Sequence, residues 1–344
     1  MEELLKKAFL VTTSIFTVTL FVSPNAMARS HIHMVGSSTV YPFATTIAEK
    51  FGLSGDFKTP VVEATGTGGG VKLFCLGIGE KFPDFVNASR GIEESETKKC
   101  NENNVKQVIE IKIGYDGIVL AESSNINKQF LITKKQLFLA LANKIPLNGE
   151  LVKNPYHKWS DIDKSLPNKE IIIYGPPTSS GTRDAFVELV MEKSCSDISE
   201  FKKKYTNSKD LKRMCRIIRT DGKFIEAGEN DNLIVQKLKS NPDALGIFGF
   251  GFLRQNGSII RGIKIDGVMP NFDNIISGKY TVSRPLFIYL KKEHINLVPG
   301  MKEFVYEIIN EDAIGEEGYL VEKGLIPMRK DEFKKMRDTV LRSL

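Results

Sequence analysis

Residues 31–51 read HIHMVGSSTVYPFATTIAEKF, and three structural states follow one another within them. Residues 31–35 are an apolar strand candidate. Gly36-Ser37-Ser38-Thr39 is a turn of small hydroxyl residues. Val40, Phe43, Ala44, Ile47, Ala48 and Phe51 then recur at the i, i+3, i+4 spacing of one helical face. A helix that opens directly after such a turn presents unpaired N–H groups and about half a positive charge, so it favours an anion.

The same succession occurs twice more. Residues 60–64 lead through Thr65-Gly66-Thr67-Gly68-Gly69-Gly70 into a helix carrying Val71, Leu73 and Phe74. Residues 170–174 lead through a Pro-, Ser- and Gly-rich turn ending in Ser179-Ser180-Gly181. From Thr182 a helix then runs to about Lys193. Glycine lets the backbone approach a ligand, and Ser or Thr hydroxyls add neutral donors. Ordinary N-capping uses the same residues, so one such turn decides little. Three in one chain, each after a strand, point to a dehydrated cage for a tetrahedral oxyanion. Two arginines stand near it. Arg90 closes Asn87-Ala88-Ser89-Arg90 after an expected buried strand over residues 82–88, and Arg183 follows Thr182 directly. Either guanidinium could fork onto an oxyanion, and a surface salt bridge is the plainer use of both.

Short β-branched runs alternate with amphipathic helices along the rest of the chain, the pattern of an α/β protein. Residues 108–113 and 117–121 read as two strands meeting at Gly114-Tyr115-Asp116, a crossing point between lobes. Residues 133–142 form a helix capped by Thr133, and residues 196–213 a Lys-rich solvated helical face. Residues 244–252 are a glycine-spaced strand and residues 283–290 another. The tail from Val298 reads as two helices split at Gly318 or Gly324.

Composition narrows the function. The 344 residues are 41% hydrophobic and 26% charged, which excludes a disordered chain, a collagen-like fibre and a coiled coil and suggests two lobes. Lys and Arg number 48 against 42 acids, a net charge of +6, enough to suit an anionic partner without specifying one. No GxxxxGK[ST] occurs, and the run from Gly66 to Val71 lacks the last glycine of GxGxxG. His31, His33, His157 and His294 show no metal-ligand spacing, so no metal and no cofactor are expected. The absence of GxSxG argues against an α/β-hydrolase, and the aromatics form no stacking series for nucleic acid.

The N-terminus reads as a signal peptide over residues 1–28. Lys6 and Lys7 precede an uncharged run, and Ala26-Met27-Ala28 has the small-x-small form of a cleavage site. Export suits the cysteines. Cys75, Cys100, Cys195 and Cys215 form no CxxC pair, and in an oxidising compartment they are expected to make two disulfides. Sequence-near pairing joins Cys75 to Cys100 and Cys195 to Cys215, one of three possible connectivities.

Five segments together resemble a known family. They are Gly36-Ser37-Ser38-Thr39-Val40-Tyr41-Pro42, Gly68-Gly69-Gly70-Val71-Lys72, Ala88-Ser89-Arg90, Ser180-Gly181-Thr182-Arg183-Asp184-Ala185-Phe186 and Ser283-Arg284-Pro285-Leu286. In this order, from about residue 33 to the C-terminus, they are similar to the phosphate-binding proteins of phosphate ABC importers. The resemblance implies a type II periplasmic-binding-protein fold, with two α/β lobes, a central ligand cleft and a hinge the chain crosses twice. It divides the chain into a first lobe of residues 29–116 and 283–344 and a second of residues 117–282. It also implies a periplasmic monomer that binds inorganic phosphate and delivers it to membrane permease subunits.

Position by position, the resemblance assigns anion contacts to Ser38, Thr39 and the Val40 backbone, to Thr67, and to Ser180, Gly181 and Thr182. Many relatives carry Asp where this chain has Arg90, and an Arg a few residues before Ser-Gly-Thr where this chain has Pro176. The positive partner is therefore expected at Arg90, the stronger candidate, or at Arg183. A carboxylate that accepts the proton of hydrogen phosphate would exclude sulfate, and Asp84, Asp116 and Asp184 are candidates. Sulfate, molybdate or tungstate binding is the alternative within this class. A secreted phosphate-ester hydrolase is the alternative outside it, and it lacks a base or metal beside Ser38 or Ser180.

Overall fold

The computed structural model describes residues 29–126, 130–228 and 230–344. The expected signal peptide lies outside the described residues. No helix among them is long and apolar enough to cross a membrane.

Thirteen strands occur among the described residues. In chain order they are β1 (His33–Gly36), β2 (Val61–Ala64), β3 (Phe85–Ala88), β4 (Val108–Ser123), β5 (Leu131–Ile132), β6 (Lys144–Leu147) and β7 (Glu150–Lys153), then β8 (Ile173–Gly175), β9 (Phe224–Glu226), β10 (Leu245–Gly249), β11 (Ile260–Gly262), β12 (Lys264–Ile265) and β13 (Ser283–Lys291). The main sheet runs β2-β1-β3-β13-β4-β10-β8-β9, with β11 also on β4. β1, β2 and β3 are mutually parallel, as are β10, β8 and β9. Each parallel set is the sheet of one α/β lobe.

β4 belongs to both. Its residues 108–117 pair antiparallel with β13, and its residues 118–121 pair with β10. The two strands expected to meet at Gly114-Tyr115-Asp116 are thus one continuous strand of 16 residues. The register with β13 shifts between Leu286 and Phe287, opposite Gly114 and Lys112, and the strand continues through that irregularity. The C-terminal segment reinforces it. Ile326 exchanges both backbone hydrogen bonds with Tyr115, and Glu332 accepts from Lys112 Nζ at 2.6 Å and from the Tyr115 hydroxyl at 2.9 Å.

Two further expectations need correction. The strand foreseen over residues 244–252 stops at Gly249, and Phe250–Gln255 is a short helix. Glycine spacing suits a strand and a helix start equally well, and only the ladder with β4 separates them. The tail holds four helices rather than two, Met301–Ile308, Glu311–Ile314, Tyr319–Glu322 and Lys330–Ser343. Asn310 caps the second of these, an additional start that the glycines did not reveal.

The helical stripe after β1 buries Phe43, Ala44, Ile47, Ala48 and Phe51, as its spacing requires. Cys75 stands 4.2 Å from Cys100 between Cα atoms, and Cys195 stands 5.5 Å from Cys215, each pair joined as a disulfide. The first links the Thr67–Phe74 helix to the Glu94–Glu102 helix. The second closes the Lys-rich excursion of the other lobe.

Candidate anion cage between the lobes

The hydroxyl turns lie at the carboxyl ends of parallel strands. β1 ends in Gly36 and β2 in Ala64, and these neighbours carry the first and second turns side by side. Gly36 has φ +137°, and a Cβ there would stand 2.1 Å from the Asn87 carbonyl oxygen. A Cβ on Gly70 would in turn stand 2.5 Å from Gly36 Cα. Only glycine at both positions lets the Thr67–Phe74 helix start so close to the end of β1. Thr67 Oγ1 accepts the Ser89 N–H at 3.2 Å and lies 3.2 Å from the Ser89 hydroxyl, which ties the second turn to the end of β3.

The third turn follows β8 in the other lobe and meets the first across the cleft. Ser180 caps its helix by accepting the Thr182 N–H at 3.2 Å. A Cβ on Gly181 would stand 3.2 Å from both the Ser38 carbonyl oxygen and Thr39 Cα. Ser38 Oγ donates to Asp184 Oδ2 at 2.7 Å. Ser38, Thr39, Val40, Ser180, Gly181 and Thr182 are therefore brought together, with Thr67 beside them on the neighbouring strand end.

Arg284 is the cation at the centre of this contact. It is buried on β13, in the crossing region, and pairs in register with Asp116 of β4. Its Nη2 donates to Thr39 Oγ1 at 2.8 Å, and its Nη1 donates to Glu188 Oε2 at 2.7 Å. Its Nε lies 3.7 Å from Asp116 Oδ2, and both atoms are buried without a hydrogen-bond partner. Burial pushes the Asp116 carboxyl above its usual range, while the Arg284 guanidinium opposes the rise. Asp231, at the start of the helix Asp231–Ser240, accepts the Gly249 N–H at 3.2 Å. Its pKa is pushed up to about 6, first by burial and then, against that hydrogen bond, by the Asp116 charge.

The two arginines singled out from sequence are engaged elsewhere. Arg90 forks onto Glu96 with both bonds at 2.8 Å, and this pairing raises its pKa. Its Nη2 reaches within 3.9 Å of a Cβ built on Gly68, at the rim of the second turn. Arg183 is buried. It lies over the Phe224 ring at 4.3 Å and donates to the Pro176 carbonyl at 3.2 Å, and burial lowers its pKa. Of the carboxylate candidates, Asp84 drops out. It precedes β3, at the opposite end of the sheet from the turns, where it binds Arg29, the His33 N–H and His294 Nδ1.

Sequence reasoning missed Ser89, Glu188, Asp231 and the role of Arg284. A signal existed for Arg284, which stands inside one of the recurring segments, near the start of an otherwise apolar stretch of strand from Pro285 to Leu290. A fourth helix start, capped by Asn230, follows the strand Phe224–Glu226. Nothing in the sequence marked Glu188. Among the described residues no group of His, Cys, Asp and Glu is arranged to hold a metal ion.

Two α/β lobes sharing crossing strands, with helix starts facing each other between them, define a two-lobed ligand-binding protein. The chain belongs to the PBP superfamily, whose domain model matches residues 22–312. It is similar to the phosphate-binding protein PstS of Staphylococcus saprophyticus, 28% identical over 303 residues that cover 87% of this chain and 80% of that protein. It is also similar to protein SphX of Synechococcus elongatus, 28% identical over 297 residues, 84% of this chain and 76% of that one. Among solved structures, a possible phosphate-binding protein from Planctomyces limnophilus superposes with a TM-score of 0.74 at 27% identity, covering 92% of this chain and 99% of its own.

Proposed function

We propose that the protein binds inorganic phosphate between its lobes and delivers it to the membrane permease subunits of an ABC importer. The observation that carries the reading is the meeting of the first and third helix starts over a buried arginine. Helix N-termini and hydroxyls supply neutral donors for the phosphate oxygens, and Arg284 supplies the cation. Thr39 links the two. Its oxygen accepts from Arg284, so its own proton is left to be donated to the anion. The relatives named phosphate-binding proteins support the choice of ligand.

Asp116 is the acceptor of the ligand proton in this reading, because its buried Oδ2 has no partner beside Arg284. Hydrogen phosphate can donate there, and sulfate meets a carboxylate it cannot satisfy. The first lobe comprises residues 29–116 and 283–344, and the second residues 117–282. The protein acts as a periplasmic monomer without a cofactor, and it is not an enzyme.

Calorimetric titration with phosphate, arsenate, sulfate and molybdate tests the ligand. Phosphate and its close analogue arsenate should bind saturably, while sulfate and molybdate give no heat at the same concentrations. Absence of phosphate binding, or tighter binding of sulfate, would overturn the assignment. Sustained turnover of a chromogenic phosphate ester would replace it with a hydrolase.

A further inference from the structure

Two carboxylates on one helical run reach across the cleft. Asp184 lies in the helix Gly181–Phe186, and Glu188 lies four residues on, in the π-helical turn Val187–Glu192 that continues it. Both carboxylates engage groups of the opposite lobe or of the crossing strands. Asp184 accepts from Ser38 Oγ, and Glu188 accepts from Arg284, whose other Nη holds Thr39. A π-turn is uncommon and recurs at functional sites. Here it falls on the segment that directs Glu188 to Arg284.

We propose that Asp184 and Glu188 form a carboxylate latch that holds the lobes together through the donors an oxyanion would use, so that the ligand must displace it. The proposal rests on the anion-binding reading for what displaces the latch, but the latch itself consists of protein atoms alone. Helix stabilisation explains Asp184 only in part. An acid in the first turn favours the helix dipole wherever it points, and nothing in that role requires a bond to Ser38. Charge balance likewise explains Glu188 only in part, because Asp116 already faces the same guanidinium.

The exposure of the two carboxylates suits displacement. Asp184 is exposed and the Glu188 side chain is 37% exposed, so each can turn into water once an anion takes its donor. The Ser38–Asp184 bond is exposed, and in the Arg284–Glu188 pair only the carboxylate side is accessible, so the acids rather than the donors are the groups that can turn away. The guanidinium and the hydroxyl stay behind, buried or half-buried, for the ligand. A latch that competes with the ligand lowers apparent affinity by the fraction of molecules it holds shut.

The test compares the wild type, Asp184→Ala/Glu188→Ala and the near-isosteric Asp184→Asn/Glu188→Gln, each freed of phosphate by dialysis. Small-angle X-ray scattering reads lobe closure, and calorimetry reads phosphate affinity. The alanine pair should expand in the absence of phosphate and return to the wild-type radius when phosphate is added. The amide pair should expand less. Both should bind phosphate more tightly than the wild type, the alanine pair by at least about tenfold. An unchanged radius in both phosphate-free variants would overturn the latch. Expansion accompanied by weaker binding would overturn the competition, since the carboxylates would then be assisting the ligand. Should the wild type give no phosphate heat at all, the ligand assignment fails, and the phosphate-free scattering still decides whether the lobes are latched.

Discussion

Replacing Arg284 should damage binding more than replacing either arginine that stands beside a turn. The residue is 7% exposed, and its side chain serves three groups at once, Thr39, Glu188 and Asp116. Arg284→Ala removes the cation and leaves buried Asp116 without its counter-charge, a change that costs about 3–5 kcal/mol of stability when a buried pair is broken. The binding loss is separate. One charge-assisted hydrogen bond contributes about 1.5–3 kcal/mol, so phosphate affinity should fall by roughly ten- to a hundredfold. Arg284→Lys keeps the charge but offers a single ammonium where a planar fork spans three partners, and it should recover only part of each loss. Calorimetry and thermal melts, read together at one pH and salt concentration, separate the two effects. Arg90→Ala should cost less affinity, because the Arg90 fork is already spent on Glu96. Wild-type affinity in Arg284→Lys, with a tenfold loss in Arg90→Ala, would reverse this order and refute the assignment of the central cation.

Asp231→Asn should stabilise the protein above pH 6. A carboxyl raised to about 6 by burial gives stability that is present below its unfolded value near 3.8 and lost as pH rises through about 6. The amide removes that loss, a gain of up to about 3 kcal/mol at pH 7.5 that fades toward pH 4, and melting curves at the two pH values check it. Gly181→Ala puts a Cβ 3.2 Å from backbone atoms of the opposite lobe. It should therefore weaken phosphate binding by about tenfold or more while leaving the unliganded melting temperature nearly unchanged, since the strain is relieved by opening the cleft. Replacing both Cys75 and Cys100 by Ser should lower stability by about 3 kcal/mol in urea unfolding, the cost of freeing a loop of 25 residues. Thiol titration of the wild-type protein should find no free thiol, and four titratable thiols would refute the pairing.

What could be read from the sequence was what is local. A strand that ends in small hydroxyl residues and starts a helix is decided within about ten residues, and each of the three does join a strand to a helix start. The second helix, however, already begins at Thr67 inside the expected turn, and the third follows a strand at Ile173–Gly175 and begins at Gly181. The helical stripe from Val40 to Phe51 was legible for the same reason. Side-chain direction was not, because it depends on partners supplied by topology. Arg284 meets Thr39 across 245 positions of sequence, and Glu188 across 96. Arg183 stands at a helix start yet lies over Phe224, from the strand next to its own. Asp84 looked equivalent to Asp116 as a lone acid near a strand. Only the parallel register of β1 and β3 reveals that it precedes its strand and so faces away from the turns.

The division of labour in the site follows from magnitudes. Each helix N-terminus contributes about 0.3–2 kcal/mol to a nearby charge, so the converging turns together supply only a few kcal/mol. Taking a dianion out of water costs more than that unless a counter-charge is paired with it. On the proposed reading the turns therefore fix the position and shape of the ligand, while the crossing strands must settle its charge. There one guanidinium faces two acids, Asp116 and Glu188, with Asp231 close behind. Such a floor is not cationic overall. It attracts an anion only if one acid turns away or if the ligand brings a proton for it to accept. The half-exposed Glu188 can do the first, and the buried Asp116 can accept the second. An oxyanion without a proton satisfies only half of that arrangement, which is why the selectivity of this protein should reside in its crossing strands rather than in the hydroxyl turns that first reveal the site.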